Sequence, residues 1–440
     1  MPLIVEGQVF FFCAIFRQKS TVNILFIHQN FPAQFKSLAP ALAALGHDVR
    51  VFVLKKSLSP ELKGITQIVY EVKKRSTPEL HPWLISFESQ VIRGEAVFQA
   101  AQKLKAEGYR PDAIITHPGW GESMFVKDVW PAVKLGIYCE FYYQAHGADL
   151  GFDPEFLEND DADVCRMRLK NLNNMLHFPV ADAGISPTYW QALTFPRSFH
   201  KKISVIHDGI DTRKITPYAA ANLQIKTASE TLVLKKSDEI ITFVNRNLEP
   251  YRGFHIFMRA LPDLLKKRPN ARVLIVGGSG VSYGPKPKDG GSWREVLTEE
   301  VRGKISDADW LRVHFMGNIA YNHFIPLLQV STVHVYFTYP FVLSWSLLEA
   351  MSAGCAIIAS NTKPVQEVIK HDVTGRLVDF FDVPGLVNEV CTLLDDPASR
   401  ARLGSEARAY AVANYDLQTI SLPRQIAWIN KLCAQHNPVP

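Results

Sequence analysis

The sequence predicts two doubly wound α/β domains, one after the other, with a ligand cleft between them. Three observations carry that prediction. Short apolar runs of strand length alternate with helical stretches along the chain. The rhythm pauses near residue 208 and restarts near residue 238. The 440 residues also exceed what one core serves, since single cores rarely grow beyond roughly 250–300 residues. Runs apolar on both faces belong to parallel sheets covered by helices on either side.

The elements follow in order. Asn23–His28 (NILFIH) is the first strand. A helix through Leu38–Leu45 ends at Gly46, a common left-handed cap, and Val49–Leu54 is the next strand. That unit has the length of a right-handed parallel crossover. Asp112–Thr116 precedes the turn HPGWGES, and Gly136–Tyr142 runs into QAHGAD. Val180–Ile185 and Ile203–Ile206 complete the first domain, 21–208. Residues 209–237, polar from Thr216 to Asp238, read as an interdomain connection. The second domain, 238–414, opens with the strand Ile240–Val244 and a helix through Phe254–Leu265. Strands follow at Arg272–Val276, Val313–Met316, Val333–Tyr336, Ala356–Ala359 and Gly375–Val378. Helices are expected at Leu347–Ala353, Pro384–Leu394 and Ala398–Val412. Pro384 suits a first helical turn. In 415–440, the helix Leu417–Cys433 is expected to cross back to the first domain.

Composition narrows the function. Hydrophobic residues make up 47% and charged residues 21%, as in soluble globular proteins. The net charge of +5 is too small to make nucleic acid the main partner. Lys55, Lys56, Lys63, Lys73, Lys74 and Arg75 face only Glu61 and Glu71. This stretch reads as a solvated loop and helix, with contact to an anionic lipid surface as the alternative. The six cysteines include no C-x-x-C pair, so neither a zinc site nor a disulfide framework is indicated, and a reducing cytoplasm fits. Val9–Phe16 is apolar but too short to span a bilayer. Residues 1–20 lack a basic start and a cleavage site and read as an extension outside the fold.

Two segments carry chemistry. In Val244–Phe254 (VNRNLEPYRGF), Arg246 and Arg252 flank a strand-to-helix turn. Guanidinium forks match phosphate oxygens in pairs, and a helix starting near Gly253 adds backbone N–H groups. The alternative is two surface arginines. In Ser346–Gly354 (SLLEAMSAG), Glu349 is the one charge among packing positions. It could accept two hydrogen bonds from a ribose diol, or serve only as a first-turn acid.

Taken in order, VNRNLEPYRGF, RVLIVGG, VHFMGNI, VHVYFT, SWSLLEAMSAGCAIIAS and TGRLVD resemble glycosyltransferase family 4, the group 1 transferases of the GT-B fold. That fold has two Rossmann-like domains facing a cleft. The resemblance covers about 238–412. NILFIHQNFPAQFKSLAPALAALGHDVRVF, HPGWGES and EFYYQAHGADLGFDPEF are similar to a bacterial subgroup. The resemblance implies that Arg246 and Arg252 hold the donor diphosphate and Glu349 the nucleotide ribose. Gly253, Gly317, Leu348 and Ser344 join them in the donor site. It implies no metal and no cofactor, because the basic pair offsets the diphosphate charge. It also implies retention of the anomeric configuration without a well-placed protein nucleophile.

Three departures from the family pattern stand out. Phe341 occupies the position of the first acid of the usual Glu-x7-Glu pair, with Leu343-Ser344 where Phe-Gly is usual. The basic pair lies six residues apart and its second member is Arg. QNFPAQF stands in place of a Gly-rich loop. From the first domain, His146 is the candidate near the reacting carbon. Asn30, His117, Trp120 and Glu122 are acceptor-side candidates, with Asp149 weaker. Trp120 offers a stacking face.

The expected function is hexosyl transfer from a GDP- or UDP-sugar to a glycan or lipid-linked acceptor in bacterial surface polysaccharide synthesis. The expected location is the cytoplasm, with peripheral contact at the inner membrane. A sugar-nucleotide epimerase of this fold and a non-catalytic protein remain as alternatives. No strand is followed by G-x-G-x-x-G and a downstream acid, which argues against an NAD-linked dehydrogenase.

Overall fold

A computed structural model describes residues 21–156, 162–227 and 230–434. The extension expected over 1–20 lies outside them. Two parallel sheets form the frame. The first has seven strands in the order β3-β2-β1-β4-β5-β6-β7. These are β1 Asn23–Ile27, β2 Asp48–Val53, β3 Thr66–Val69, β4 Ala113–Thr116, β5 Lys134–Tyr138, β6 Ala183–Ser186 and β7 Ile203–Val205. In the second, β10 Ile240–Asn247, β11 Arg272–Gly278, β12 Val313–Gly317, β13 Val333–Tyr336, β14 Ile357–Ser360 and β15 Arg376–Val378 run in the order β12-β11-β10-β13-β14-β15. Every neighbouring pair in both sheets is parallel. Strand order reverses beside β1 and beside β10. Those are the switch points where open α/β sheets take ligands, beyond the carboxyl ends of the strands.

Three elements differ from the sequence reading. The basic stretch 55–75 holds no α-helix. It forms a single 3₁₀ turn, Pro60–Leu62, and the edge strand β3. Its charges lie in the segments before and after β3, and all of them are exposed. Residues 209–237 are more than a connection. Asn222–Lys226 (β8) and Thr231–Lys235 (β9) pair as an antiparallel hairpin. Leu223, Ile225 and Leu234 are buried in the second domain's core. The polar average of this stretch conceals a period-two alternation, the pattern of a half-buried strand. The long helix Ile85–Ala106 also went unread.

Each domain lends a segment to the other. The C-terminal helix Leu422–Ala434 places Trp428, Ile429 and Leu432 in the core of the first sheet. Residues 141–156 leave β5 and cross the cleft as a strap. Phe141 and Ala148 join the second domain's core, with Phe152 and Phe156 packed against it. Polar ties fix the strap. The Tyr339 hydroxyl donates to Asp153 Oδ2 (2.7 Å), and buried His255 lies 3.0 Å from the same carboxylate. Tyr251 donates to Asp149 (3.0 Å), and Arg259 forks onto Glu155. Two passages of chain also run side by side between the domains. Ile210 N–H donates to Tyr415 O and Leu417 N–H to Ile210 O, both at 2.8 Å.

The turn after β10 depends on one glycine. Gly253 has φ +67°, and a Cβ there would lie 2.3 Å from Phe337 Cβ. Both the left-handed backbone and the clash penalise any side chain. Gly253→Ala is expected to lower stability by about 2–4 kcal/mol, read as a drop in the urea midpoint. An unchanged midpoint would show that the turn relaxes freely.

Candidate functional site

The cleft lies between the carboxyl ends of the two sheets and encloses about 230 Å³. Its second-domain wall begins at β10. That strand hands over to the turn Pro250–Arg252 and then to the helix Phe254–Lys267. Arg252 is 6% exposed. Its Nη1 donates to Thr338 Oγ1 (2.8 Å) and to Val342 O (2.9 Å). The guanidinium lies 5.0 Å from the Tyr283 ring centre and 6.0 Å from that of Phe341. Burial opposes its charge, yet Tyr336, Tyr283 and Glu249 keep its pKa above the ordinary value. Arg246 is exposed at the end of β10 and lines the same cleft.

Glu349 does not share that cavity. The helix Trp345–Ser352 sets Trp345 and Glu349 one turn apart. Trp345 lines the cleft. Glu349 lines an adjoining cavity of about 440 Å³ with Lys36, Asp211, Lys214 and Tyr321. Lys36 joins the two spaces, its ammonium 4.2 Å over the Trp345 ring. The Tyr321 hydroxyl donates to Glu349 Oε1 (2.8 Å), and burial pushes the Glu349 carboxyl up. Ser344 caps the helix by accepting from Ser346 N–H and lines the cleft. Leu348 is fully buried in the core and lines neither cavity. Gly253 sits in the turn beneath Arg252. Gly317, at φ +63°, ends β12 and lines neither space.

The first-domain wall is built differently from the expectation. His146 is exposed and absent from the cleft lining. The strap turns there toward the second domain, carrying Asp149 to Tyr251 and leaving His146 in solvent. Glu140 stands in the cleft instead, two residues past β5. His117 is buried, with Nε2 3.4 Å from Glu140 Oε2 and Nδ1 accepting from Gly119 N–H. Trp120 packs against His117 and His28, with centroids at 4.6 and 4.7 Å. Burial and His117 push His28 down to about 3, so it is neutral at physiological pH. Asn30 is exposed, and its backbone N–H donates to His28 Nδ1. Glu122 is buried against Tyr70 and Arg93 and does not line the cleft.

Glu140 and Asp208 are the site carboxylates that the sequence reading missed. One signal was available, an acid embedded in the apolar run GIYCEFY. Asp208 stands at the very end of the first domain, where no local pattern marks it. It accepts from the Tyr138 hydroxyl (2.9 Å) and from Trp345 Nε1 (2.8 Å), one partner from each domain. Burial raises it to about 6 against the pull of those hydrogen bonds. Phe341 is 3% exposed. Its ring centre lies 4.6 Å from Phe141, 4.8 Å from Tyr283 and 5.7 Å from Tyr251. The position that the resemblance makes acidic is here an aromatic bridge between the domains.

Comparison with known proteins agrees with this architecture. Residues 46–215 match the family described as Glycosyl transferase family 4 group. Residues 224–410 match Glycosyl transferases group 1. A glycogen synthase of Mycobacterium tuberculosis is 23% identical over 432 residues, covering 92% of this chain and 91% of that protein. A GDP-mannose-dependent monoacylated alpha-(1-6)-phosphatidylinositol monomannoside mannosyltransferase of Corynebacterium glutamicum is 26% identical over 226 residues, covering 49% of this chain and 53% of its own. The Anabaena HepE structure in complex with UDP-glucose has a TM-score of 0.65 at 17% identity, covering 93% of this chain and 99% of that one. Sucrose-phosphate synthase from Thermosynechococcus elongatus has a TM-score of 0.69 at 21% identity, covering 94% and 100%.

Asp208 offers a test that needs no substrate. Unfolded, it titrates near the ordinary value of 3.8; folded, near 6. Between those values the folded state holds a proton that the unfolded state lacks. Its contribution to stability therefore falls as pH rises through that window, by about 2–3 kcal/mol, and is flat above it. Asp208→Asn lacks the titration. Relative to the wild type, it is expected to gain that amount in urea unfolding between pH 4 and pH 7. A difference that does not change with pH would refute the assignment.

Proposed function

We propose that this chain, which belongs to the group 1 glycosyltransferases, moves a hexose from a UDP- or GDP-sugar to a glycan or lipid-linked acceptor. The proposed setting is bacterial surface polysaccharide synthesis, with retention at the anomeric carbon and no metal. One observation carries the reading: Arg246 and Arg252 line one cleft at the carboxyl end of β10, beside a helix start. As the sugar–phosphate bond breaks, negative charge gathers on the diphosphate. Guanidinium groups lining a narrow cleft, Arg252 among them held in place by Thr338 and Val342, stabilise that charge more in the transition state than in the ground state. Glu349, one helical turn from Trp345, is suited to accept a ribose diol in the adjoining cavity. The HepE structure holds UDP-glucose and the corynebacterial relative is GDP-mannose-dependent, so both donor classes belong in the first screen. Retention is the expectation carried by the family resemblance.

Peripheral membrane contact is part of the proposal. The basic residues of 55–75 are exposed, with Leu58 96% and Val72 38% exposed among them. Among the described residues, no helix is long and apolar enough to cross a membrane. Co-sedimentation with anionic vesicles but not neutral ones is the expected result, and equal recovery with both would refute it.

The donor reading is tested by nucleotide release across UDP- and GDP-sugars. Arg246→Ala is expected to lose roughly a hundredfold in kcat/KM or more while its urea midpoint stays put, because the side chain is exposed. Activity is expected to survive EDTA. Normal turnover by Arg246→Ala would place the diphosphate elsewhere, and loss of activity in EDTA would refute metal independence.

A further inference from the structure

Among the described residues, two carboxylates line the cleft, Glu140 and Asp208. They are not equivalent. Asp208 is 7% exposed, and its carboxylate already accepts from Tyr138 and Trp345. Glu140 has unused capacity. Its side chain is 38% exposed, and one oxygen faces His117 at 3.4 Å. The other receives only a long contact from Gln34 Nε2, 3.4 Å. An ionised carboxylate offers about four acceptor sites, so most of its hydrogen-bonding valence points into the cleft.

Its charge state suits that use. Burial opposes ionisation, but His117 and the nearby Arg252 hold the carboxyl below its ordinary value. A low-pKa carboxylate is a poor proton carrier and a durable hydrogen-bond acceptor. It also repels phosphate, so the diphosphate belongs with Arg246 and Arg252 on the opposite wall. What remains for Glu140 is a group rich in hydroxyl donors. The second-domain wall supplies no competing acid: its lining includes Tyr283, Val342, Leu343, Ser344 and Trp345, and Phe341 is buried among aromatic rings.

We infer that Glu140 receives the hydroxyl groups of the donor's sugar, and that the enzyme therefore prefers a neutral sugar to a uronic acid. This rests on the donor reading above. A second carboxylate brought against Glu140 would meet like charge in a narrow space, which disfavours the charged pair. Sugar specificity is then set from the domain opposite the nucleotide, and only the assembled cleft can apply it.

The test separates nucleotide from sugar. UDP, UDP-glucose and UDP-glucuronate are titrated calorimetrically into the wild type and Glu140→Gln, with GDP and GDP-mannose alongside. The variant is expected to bind the free nucleotide within about twofold of the wild type, which also reports an intact fold. It is expected to lose roughly tenfold in affinity for the neutral nucleotide-sugar, the size of a hydrogen bond to a charged group. Its discrimination against UDP-glucuronate relative to UDP-glucose is expected to shrink. Neutral-sugar affinity and uronate discrimination both unchanged in Glu140→Gln would overturn the inference while leaving the donor reading intact. Failure of the wild type to bind any of these nucleotides would overturn both.

Discussion

A guanidinium cannot shed its charge when it is buried, and Arg252 is buried where the two domains meet. The surrounding architecture follows from that constraint. Arginine stays protonated in proteins, so the wall around it must supply acceptors and polarisable faces. Thr338 and the carbonyl of Val342 accept hydrogen bonds from it, and the Tyr283 and Phe341 rings lie alongside. These partners come from segments following β11 and β13. The positive centre is therefore held by the ends of several strands, and its position is set by the sheet. Such prepositioning lets a fixed charge stabilise a transition state without reorganising at the moment of reaction.

The aromatic cluster beside it has a second consequence. Phe341 fills with carbon a position where the family resemblance leads one to expect oxygen. Phe141 reaches it from the strap, so the substitution is matched by a partner from the opposite domain. A carboxylate there would give up the ring contacts to Phe141, Tyr283 and Tyr251, with the Arg252 guanidinium as its nearby counter-charge. The departure is therefore structurally coherent: loss of an acid on one wall coincides with a hydrophobic contact across the cleft. Among the described residues, the acids that line the cleft itself stand on or next to the first domain, as Glu140 and Asp208.

Much of this frame was legible in the sequence, for a physical reason. Strands buried on both faces are largely apolar, so β1, β10, β11 and β13 stood out even with Thr242 and His334 among their residues. The arginines stood out as a pair once their turn was set in order with the segments that resemble the family, and the fold brings both to one cleft. Less legible was whatever depends on distant partners. The helix Ile85–Ala106 covers its sheet with a surface that is not cleanly divided into apolar and polar sides. β8 and β9 are short, and their outer positions are mostly polar, with an exposed Val233 among them. His146 looked central because it follows a buried strand, yet the strap's destination is decided by Asp149 and Asp153. Their partners Tyr251, His255 and Tyr339 lie about a hundred residues or more further on. No local pattern contains that information.

The paired passages of chain at Ile210 and Tyr415–Leu417 bear on how such a cleft can work. Ile210 is tied by two backbone hydrogen bonds to the short break between the helix that ends at Tyr415 and the turn that begins at Leu417. Any swing of one domain against the other would turn about this line, as a door turns on its pins. The cavity of Glu349 is bordered by Gly209, Ile210, Asp211 and Leu417, so it lies beside the pins and would travel least. A molecule anchored there would keep that contact whatever the angle between the leaves.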